Sequence, residues 1–308
     1  MLTIATEESS DIVVVMNESF SDLTTYLEGY ETSTDPMPYV RSLMKRGDVV
    51  SGTCAVSSDM GTGTANSEFE FLTGNSMAYF KGNTPYVQFI DMETPSLASL
   101  LAGHSTMAMH AYERAGYNRV KVYDRFGFEV YKGIEDFDVD LDYARGYPTD
   151  EANYRQLISY FETVDEPTVV LFFGDHEPRL SNEFYSSWFT DENDLDLETT
   201  AQLHKTPFFI WGNYNLNTES IQKGSVVSLN YLSTVLFQTA GVQLSPYQEY
   251  LADLRMEHPV ITARYLTTAF GDKVGTVPSA FTDSIREYQW LQYSYVFDRA
   301  HRIPGFYS

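Results

Sequence analysis

Two short apolar runs break off abruptly into residues that favour metal ions. Ile12 to Met16 passes into Asn17-Glu18-Ser19, and Thr168 to Phe173 passes into Gly174-Asp175-His176. Short runs of β-branched and aromatic residues between polar ones are the pattern of strands buried on both faces, as in a parallel sheet. Open α/β sheets gather their sites at the carboxyl ends of such strands, so Glu18, Asp175 and His176 are expected to meet although they lie far apart in the chain. Two carboxylates and an imidazole make a donor set suited to Mn²⁺, Mg²⁺ or Zn²⁺.

Between the two runs stands Gly61-Thr62-Gly63-Thr64-Ala65-Asn66-Ser67-Glu68, followed by Phe69-Glu70-Phe71-Leu72-Thr73-Gly74. Glycines ahead of a helix-compatible stretch place the Thr64 hydroxyl at a helix N-terminus, where free backbone N–H groups and the helix dipole favour a phosphate. Thr64 is therefore a candidate nucleophile, because a divalent cation lowers the pKa of a hydroxyl it holds. An N-cap role competes with that reading, since Thr caps helices well. Glu68, one turn on, serves either as support for the site or as a capping-box partner.

The strings MNESF, GTGTANSEFEFLTG and FFGDHEP resemble the extracellular catalytic domain of lipoteichoic acid synthases and related phosphoglycerol transferases, within the sulfatase and alkaline phosphatase superfamily. The resemblance implies that Glu18, Thr64, Asp175 and His176 hold one divalent cation, Mn²⁺ foremost, and that Thr64 carries a covalent glycerophosphate. In His110-Ala111-Tyr112-Glu113-Arg114-Ala115-Gly116-Tyr117-Asn118-Arg119 the spacing also resembles the family's substrate-binding segment. His110, Tyr117 and Arg119 would then grip the phosphate and glycerol, Tyr117 standing where the family more often has Trp. The planar fork of Arg suits phosphate oxygens. The plainer readings are a polar side chain at a strand end, a core aromatic and a solvent-facing helix residue. The segments Lys205 to Tyr214 and Ser228 to Leu232 look like later parts of the same family, so the likeness runs from about Asp11 to the C-terminus. It further implies a phosphatidylglycerol-like lipid headgroup as donor, a glycolipid or polymer-end hydroxyl as acceptor, and a place on the extracellular face of the membrane.

One departure stands out. Between a hairpin-like stretch, Phe128 to Phe137, and the Asp175 run, the family carries a long insert with another core strand ending in Asn-His, whose His contacts substrate phosphate. Here one predicted helix, Ala152 to Glu162, leads straight into the Asp175 run, and no Asn-His dipeptide exists among the 308 residues. The remnant reading, an impaired domain lacking a strand and a substrate histidine, therefore stays open, and because the metal site is shared across the superfamily so do a phosphodiesterase or phosphatase and a phosphoethanolamine transferase.

The formal charge of −23 argues against nucleic acid, whose binding requires Lys and Arg to neutralise phosphates. Anionic membranes are repelled too, unless a bound cation and local Arg residues supply attraction. The lone Cys54 has no partner for an internal disulfide and no basic neighbour in sequence, so a quiet thiol is expected. Neither a signal peptide nor a run of about 20 apolar residues is visible, whereas the family usually carries membrane helices ahead of this domain.

Alternating strands and helices predict an α/β fold, a mostly parallel sheet with helices on both faces, over 1–244. A small α+β subdomain over 245–308 is expected to pack on it. Within this frame, residues 31–63 read as a loop-rich lead-in with a short helix near Tyr39 to Lys45. Further helices are expected over Ser96 to Ala102, Arg119 to Phe126, Leu229 to Ala240, Tyr247 to Glu257 and Thr282 to Phe297.

Overall fold

The computed structural model describes residues 10–80, 82–101, 103–137, 142–144, 147–148, 166–188 and 195–307. The strands in chain order are β1 (Asp11–Asn17), β2 (Val50–Ala55), β3 (Met107–Met109), β4 (Val130–Lys132), β5 (Tyr143–Ala144), β6 (Tyr147–Pro148), β7 (Thr168–Gly174), β8 (Lys205–Gly212) and β9 (Val226–Ser228), with a last pair at Tyr265–Thr267 and Lys273–Gly275. Helices α1 (Leu23–Tyr26), α2 (Pro38–Met44), α3 (Thr64–Thr73), α4 (Pro85–Gln88), α5 (Leu97–Leu100) and α6 (Arg119–Phe126) precede the longer C-terminal helices Leu232–Ala240, Pro246–Glu257 and Asp283–Val296.

The main sheet has the order β1-β7-β8-β2-β9. The two apolar runs are neighbours: β1 and β7 pair in parallel from Asp11 opposite Thr168 to Asn17 opposite Gly174. Strand β8 is antiparallel to both β7 and β2, and β9 is parallel to β2. Four strands thus point one way and β8 alone is reversed. Lys205 of β8 lies opposite Ala55, the last residue of β2, so the chain re-enters the sheet at the edge it left after β7 and runs back. The ends of β1, β2 and β7 consequently share one edge.

Val169, Leu171 and Phe173 of β7 and Phe208 and Ile210 of β8 pack with Val235 and Leu236 from the helix Leu232–Ala240. A second core joins Phe69 of α3 and Phe126 of α6 to Leu251, Ile285 and Tyr288 from the C-terminal helices. The helices Pro246–Glu257 and Asp283–Val296 therefore pack against the helix that begins at Thr64.

Two expectations change. Strand β2 lies inside the stretch read as a loop, because its Val50-Ser51-Gly52-Thr53 start lacks an apolar run. Its Gly52 is required by packing: an added Cβ would stand 2.6 Å from the Ser225 carbonyl oxygen and 2.7 Å from the Phe208 ring. The Phe128 to Phe137 stretch is no hairpin, since β4 pairs in parallel with β3 across α6. The helix expected over Ala152 to Glu162 lies outside the described residues.

Candidate active site

Strand β1 delivers Glu18 one residue past its end, and β7 delivers Asp175 and His176 in the same way. Ser19 takes a left-handed φ of 54°, a conformation non-glycine residues adopt at a cost that often marks a functional turn. That turn aims its N–H at Asp175 Oδ1 (2.8 Å) and its hydroxyl at Glu18 Oε1 (3.0 Å). Asp175 Oδ1 also accepts the His176 N–H at 2.8 Å. Ser67 of α3 donates its hydroxyl to the Asp175 carbonyl at 2.7 Å, tying the Thr64 helix to the β7 edge.

Gly63, at φ 94°, is the N-cap of α3, and Thr64 is the first residue of the helix. The Thr64 hydroxyl makes no capping bond. It donates to Glu18 Oε2 at 3.0 Å and lies 3.4 Å from His176 Nε2. The capping reading of Thr64 therefore gives way to a hydroxyl directed at the acidic–histidine cluster.

The cluster fits a divalent cation. His176 donates its Nδ1–H to the Glu177 carbonyl at 3.0 Å, which leaves a lone pair on Nε2. That Nε2 faces Asp175 Oδ2 at 3.0 Å and Glu18 Oε1 at 3.3 Å. Asp175 Oδ2 is buried without a hydrogen bond. Lone pairs so close together call for positive charge between them. One ligand atom from each of Glu18, Asp175 and His176 lies within 4.8 Å of the others, a spread that a single ion with bonds of about 2.0–2.2 Å can span.

The proton affinities agree. Burial, with the Glu18 charge added, pushes the Asp175 carboxyl up to about 7. Partial desolvation opposes charge on Glu18, yet the protonated form of the His176 ring, with hydrogen bonds from Thr64 and Ser19, outweighs it and holds that carboxyl down at about 2. Burial disfavours the His176 imidazolium, and Glu18 and Asp175 overcome it to raise the ring. The cluster attracts positive charge, from a proton or from a metal.

The second half of the site comes from the 110–123 segment. Arg119 opens α6 and is 1% exposed. Its Nη2 and Nε donate to Glu68 Oε1 at 2.6 and 3.0 Å, and the Tyr123 hydroxyl donates to Glu68 Oε2 at 2.9 Å. Burial opposes the Arg119 charge, but Glu68 outweighs it and raises the guanidinium further. Tyr117 and Asn118 take left-handed φ values of 53° and 62°, and the half-exposed Tyr117 ring centroid lies 5.2 Å from the Arg119 guanidinium carbon. Tyr117 is thus no core residue. His110 follows β3, its Nδ1 buried without a partner, and burial with the nearby Arg119 charge pushes it down to about 4.

Glu68 proves to be the partner of Arg119 rather than a capping-box residue. Sequence reasoning missed Ser19, Ser67 and Tyr123, and only Tyr123 left a trace, one helical turn after Arg119. Cys54 is buried, and burial raises its thiol. His204 and His258 donate Nδ1–H to the Thr200 and Thr267 carbonyls at 2.7 and 3.0 Å, both in structural roles.

This fold and cluster define a class of metal-dependent phosphoryl or sulfuryl transferases and hydrolases. The family model described as Sulfatase matches residues 10–156 and 149–242, and the chain belongs to that family. The two matched parts meet where the sequence passes directly towards β7. A curated relative from Rhizobium meliloti (strain 1021), "Putative cyclic beta-1,2-glucan modification protein", is 25% identical over 375 residues, covering 97% of this chain and 56% of its own length. The chain thus spans about half of that relative. Among solved structures, the Streptococcus pyogenes phosphoglycerol transferase GacH in complex with sn-glycerol-1-phosphate is 16% identical with a TM-score of 0.73, over 94% of this chain and 87% of that one. The lipoteichoic acid synthase LtaP from Listeria monocytogenes is 15% identical with a TM-score of 0.61, over 93% and 91%. These structural likenesses establish the fold. No helix among the described residues is long and apolar enough to cross a membrane.

Proposed function

We propose that this domain is a phosphoglycerol transferase acting on a phosphatidylglycerol-type lipid at the extracellular face of the membrane, with Thr64 as nucleophile. The observation that carries the reading is the Thr64 hydroxyl at a helix N-terminus, 3.0 Å from Glu18 Oε2 and 3.4 Å from His176 Nε2. Glu18, Asp175 and His176, with Thr64, would hold a divalent cation, Mn²⁺ foremost. Such an ion lowers the pKa of a hydroxyl and offsets charge on phosphoryl oxygens.

The chain's own groups do the rest. Thr64 Oγ1 forms a bond to phosphorus, the phosphorus–oxygen bond to diacylglycerol breaks, and the hydroxyl proton ends on the departing alcohol. The α3 N-terminus favours the phosphate's negative charge, and Arg119 presents the N–H groups that Glu68 leaves free. Neutral His110, beside Arg119, would meet a phosphate oxygen or glycerol hydroxyl, and Tyr117 walls the pocket. An acceptor hydroxyl oxygen then bonds to phosphorus, the phosphorus–Oγ1 bond breaks, and the acceptor's proton returns to Thr64. The name of the Rhizobium relative favours a glucan hydroxyl as that acceptor. Water competes with it, because the Glu18 side chain is 65% exposed and the Asn-His segment of the resembling family has no counterpart in the sequence.

The test is incubation with Mn²⁺, headgroup-labelled phosphatidylglycerol and a β-glucan. Label is expected on glucan and in free glycerophosphate, together with diacylglycerol. Release of phosphatidic acid in place of diacylglycerol would overturn the reading, because the bond broken would then lie on the wrong side of phosphorus.

A further inference from the structure

The Arg119 guanidinium is both charged and almost wholly enclosed. Of its five N–H donors, Nε and one on Nη2 meet Glu68 at 3.0 and 2.6 Å, and Nη1 reaches the Gly116 carbonyl at 3.4 Å. One N–H on each terminal nitrogen remains. Glu68 in turn is fixed by the Tyr123 hydroxyl at 2.9 Å, and both carboxylate and guanidinium are buried. The pair holds the fork in one orientation and cancels its charge within a few ångströms. Glu18 and Asp175 would likewise offset the charge of a divalent cation held between them.

We propose that Glu68, with Tyr123, is a positioning residue that neutralises Arg119 and so makes the pocket select singly charged phosphodiesters over doubly charged phosphomonoesters. The inference rests on the reading that Arg119 meets the substrate phosphate. An unpaired Arg119 would attract a second negative charge strongly at this range in a partly desolvated site. Paired with Glu68, it directs hydrogen bonds without that excess attraction. Discrimination then belongs to the pocket's charge balance rather than to its shape.

Among the described residues, the titratable groups facing the pair are Tyr86 from α4, Tyr123 from α6, Tyr131 from β4 and His110 after β3. Burial raises the three phenols, and His110 is lowered to about 4, so these four stay neutral while a phosphomonoester gains its second charge near a pKa of about 6.

Calorimetric binding to the Mn²⁺-equilibrated protein tests the proposal with two probes, glycerol phosphate and glycerophosphoglycerol. Each affinity is taken as a ratio on the same sample, so that changes in metal loading cancel. In E68Q the monoester is expected to gain roughly tenfold over the diester at pH 8 and much less at pH 5. In Y123F both ligands should weaken together with the ratio unmoved. For the unmodified protein, monoester affinity relative to diester should not rise as pH passes about 6. A rise there overturns the proposal without recourse to any variant. An unchanged ratio in E68Q, with R119A weakening both ligands, overturns the role of Glu68 and leaves the site reading standing. No effect of R119A on either ligand overturns both.

Discussion

Among single residues, Thr64 opens α3, and truncating its side chain removes only a small polar group from the helix start. T64A is expected to abolish release of diacylglycerol while leaving the circular dichroism spectrum and melting temperature near those of the parent. Retained turnover would assign the nucleophile elsewhere. Glu70, on the same helix, makes an independent prediction about stability. It is fully buried, its Oε1 accepts Ser57 Oγ at 2.7 Å and Met77 N–H at 2.8 Å, and its Oε2 has no partner. Burial raises its carboxyl from 4.5 to about 7. Between those values the folded state binds a proton that the unfolded state releases, so stability is fullest below the lower value and declines as pH rises through the upper one. At pH 8 the penalty is of the order of 3 kcal/mol. E70Q should therefore flatten the pH dependence of denaturant midpoints over this window and match or exceed the parent at pH 8. An unchanged pH slope would show that Glu70 is not its source.

At the scale of elements, β1 and β7 were legible because an unbroken apolar run ending in polar residues leaves little choice but a buried strand, and their parallel pairing brings Glu18 beside Asp175. Strand β2 was not legible. Its place inside the sheet rests on smallness at one position: Gly52 lets the Phe208 ring and the Ser225 carbonyl approach, a tertiary demand that no local pattern announces. The pairing of Glu68 with Arg119 was hidden for the same reason, since 51 residues separate two groups that meet only after α3 and α6 pack together. Helix termini were easier, as Gly127 and Gly241 supply the left-handed turns that stop α6 and the Leu232–Ala240 helix. G52A should cost about 1–3 kcal/mol in urea denaturation, since neither backbone carbonyl nor ring can yield freely. A neutral effect would mean that β2 and β8 separate more readily than their packing suggests.

At the scale of the whole molecule, a net charge of −23 surrounds the site proposed for an anionic headgroup. Attraction must then be local, from the Thr64 helix end, the N–H groups that Arg119 has left to donate and coordination to a divalent cation, while the remaining surface repels an anionic bilayer. Added salt should accordingly strengthen binding to phosphatidylglycerol vesicles up to roughly 0.15 M, where the screening length is about 8 Å. Weakening over that range would reveal a basic docking face. A covalent glycerophosphoryl group on Thr64 is detectable by mass spectrometry of the peptide containing Thr64 after brief incubation with Mn²⁺ and phosphatidylglycerol. A glycerophosphoryl mass increment on Thr64, lost in T64A and in samples treated with chelator, is the expected result. Substrate turnover with Thr64 unmodified at every time point, or the same increment on another residue, would contradict it.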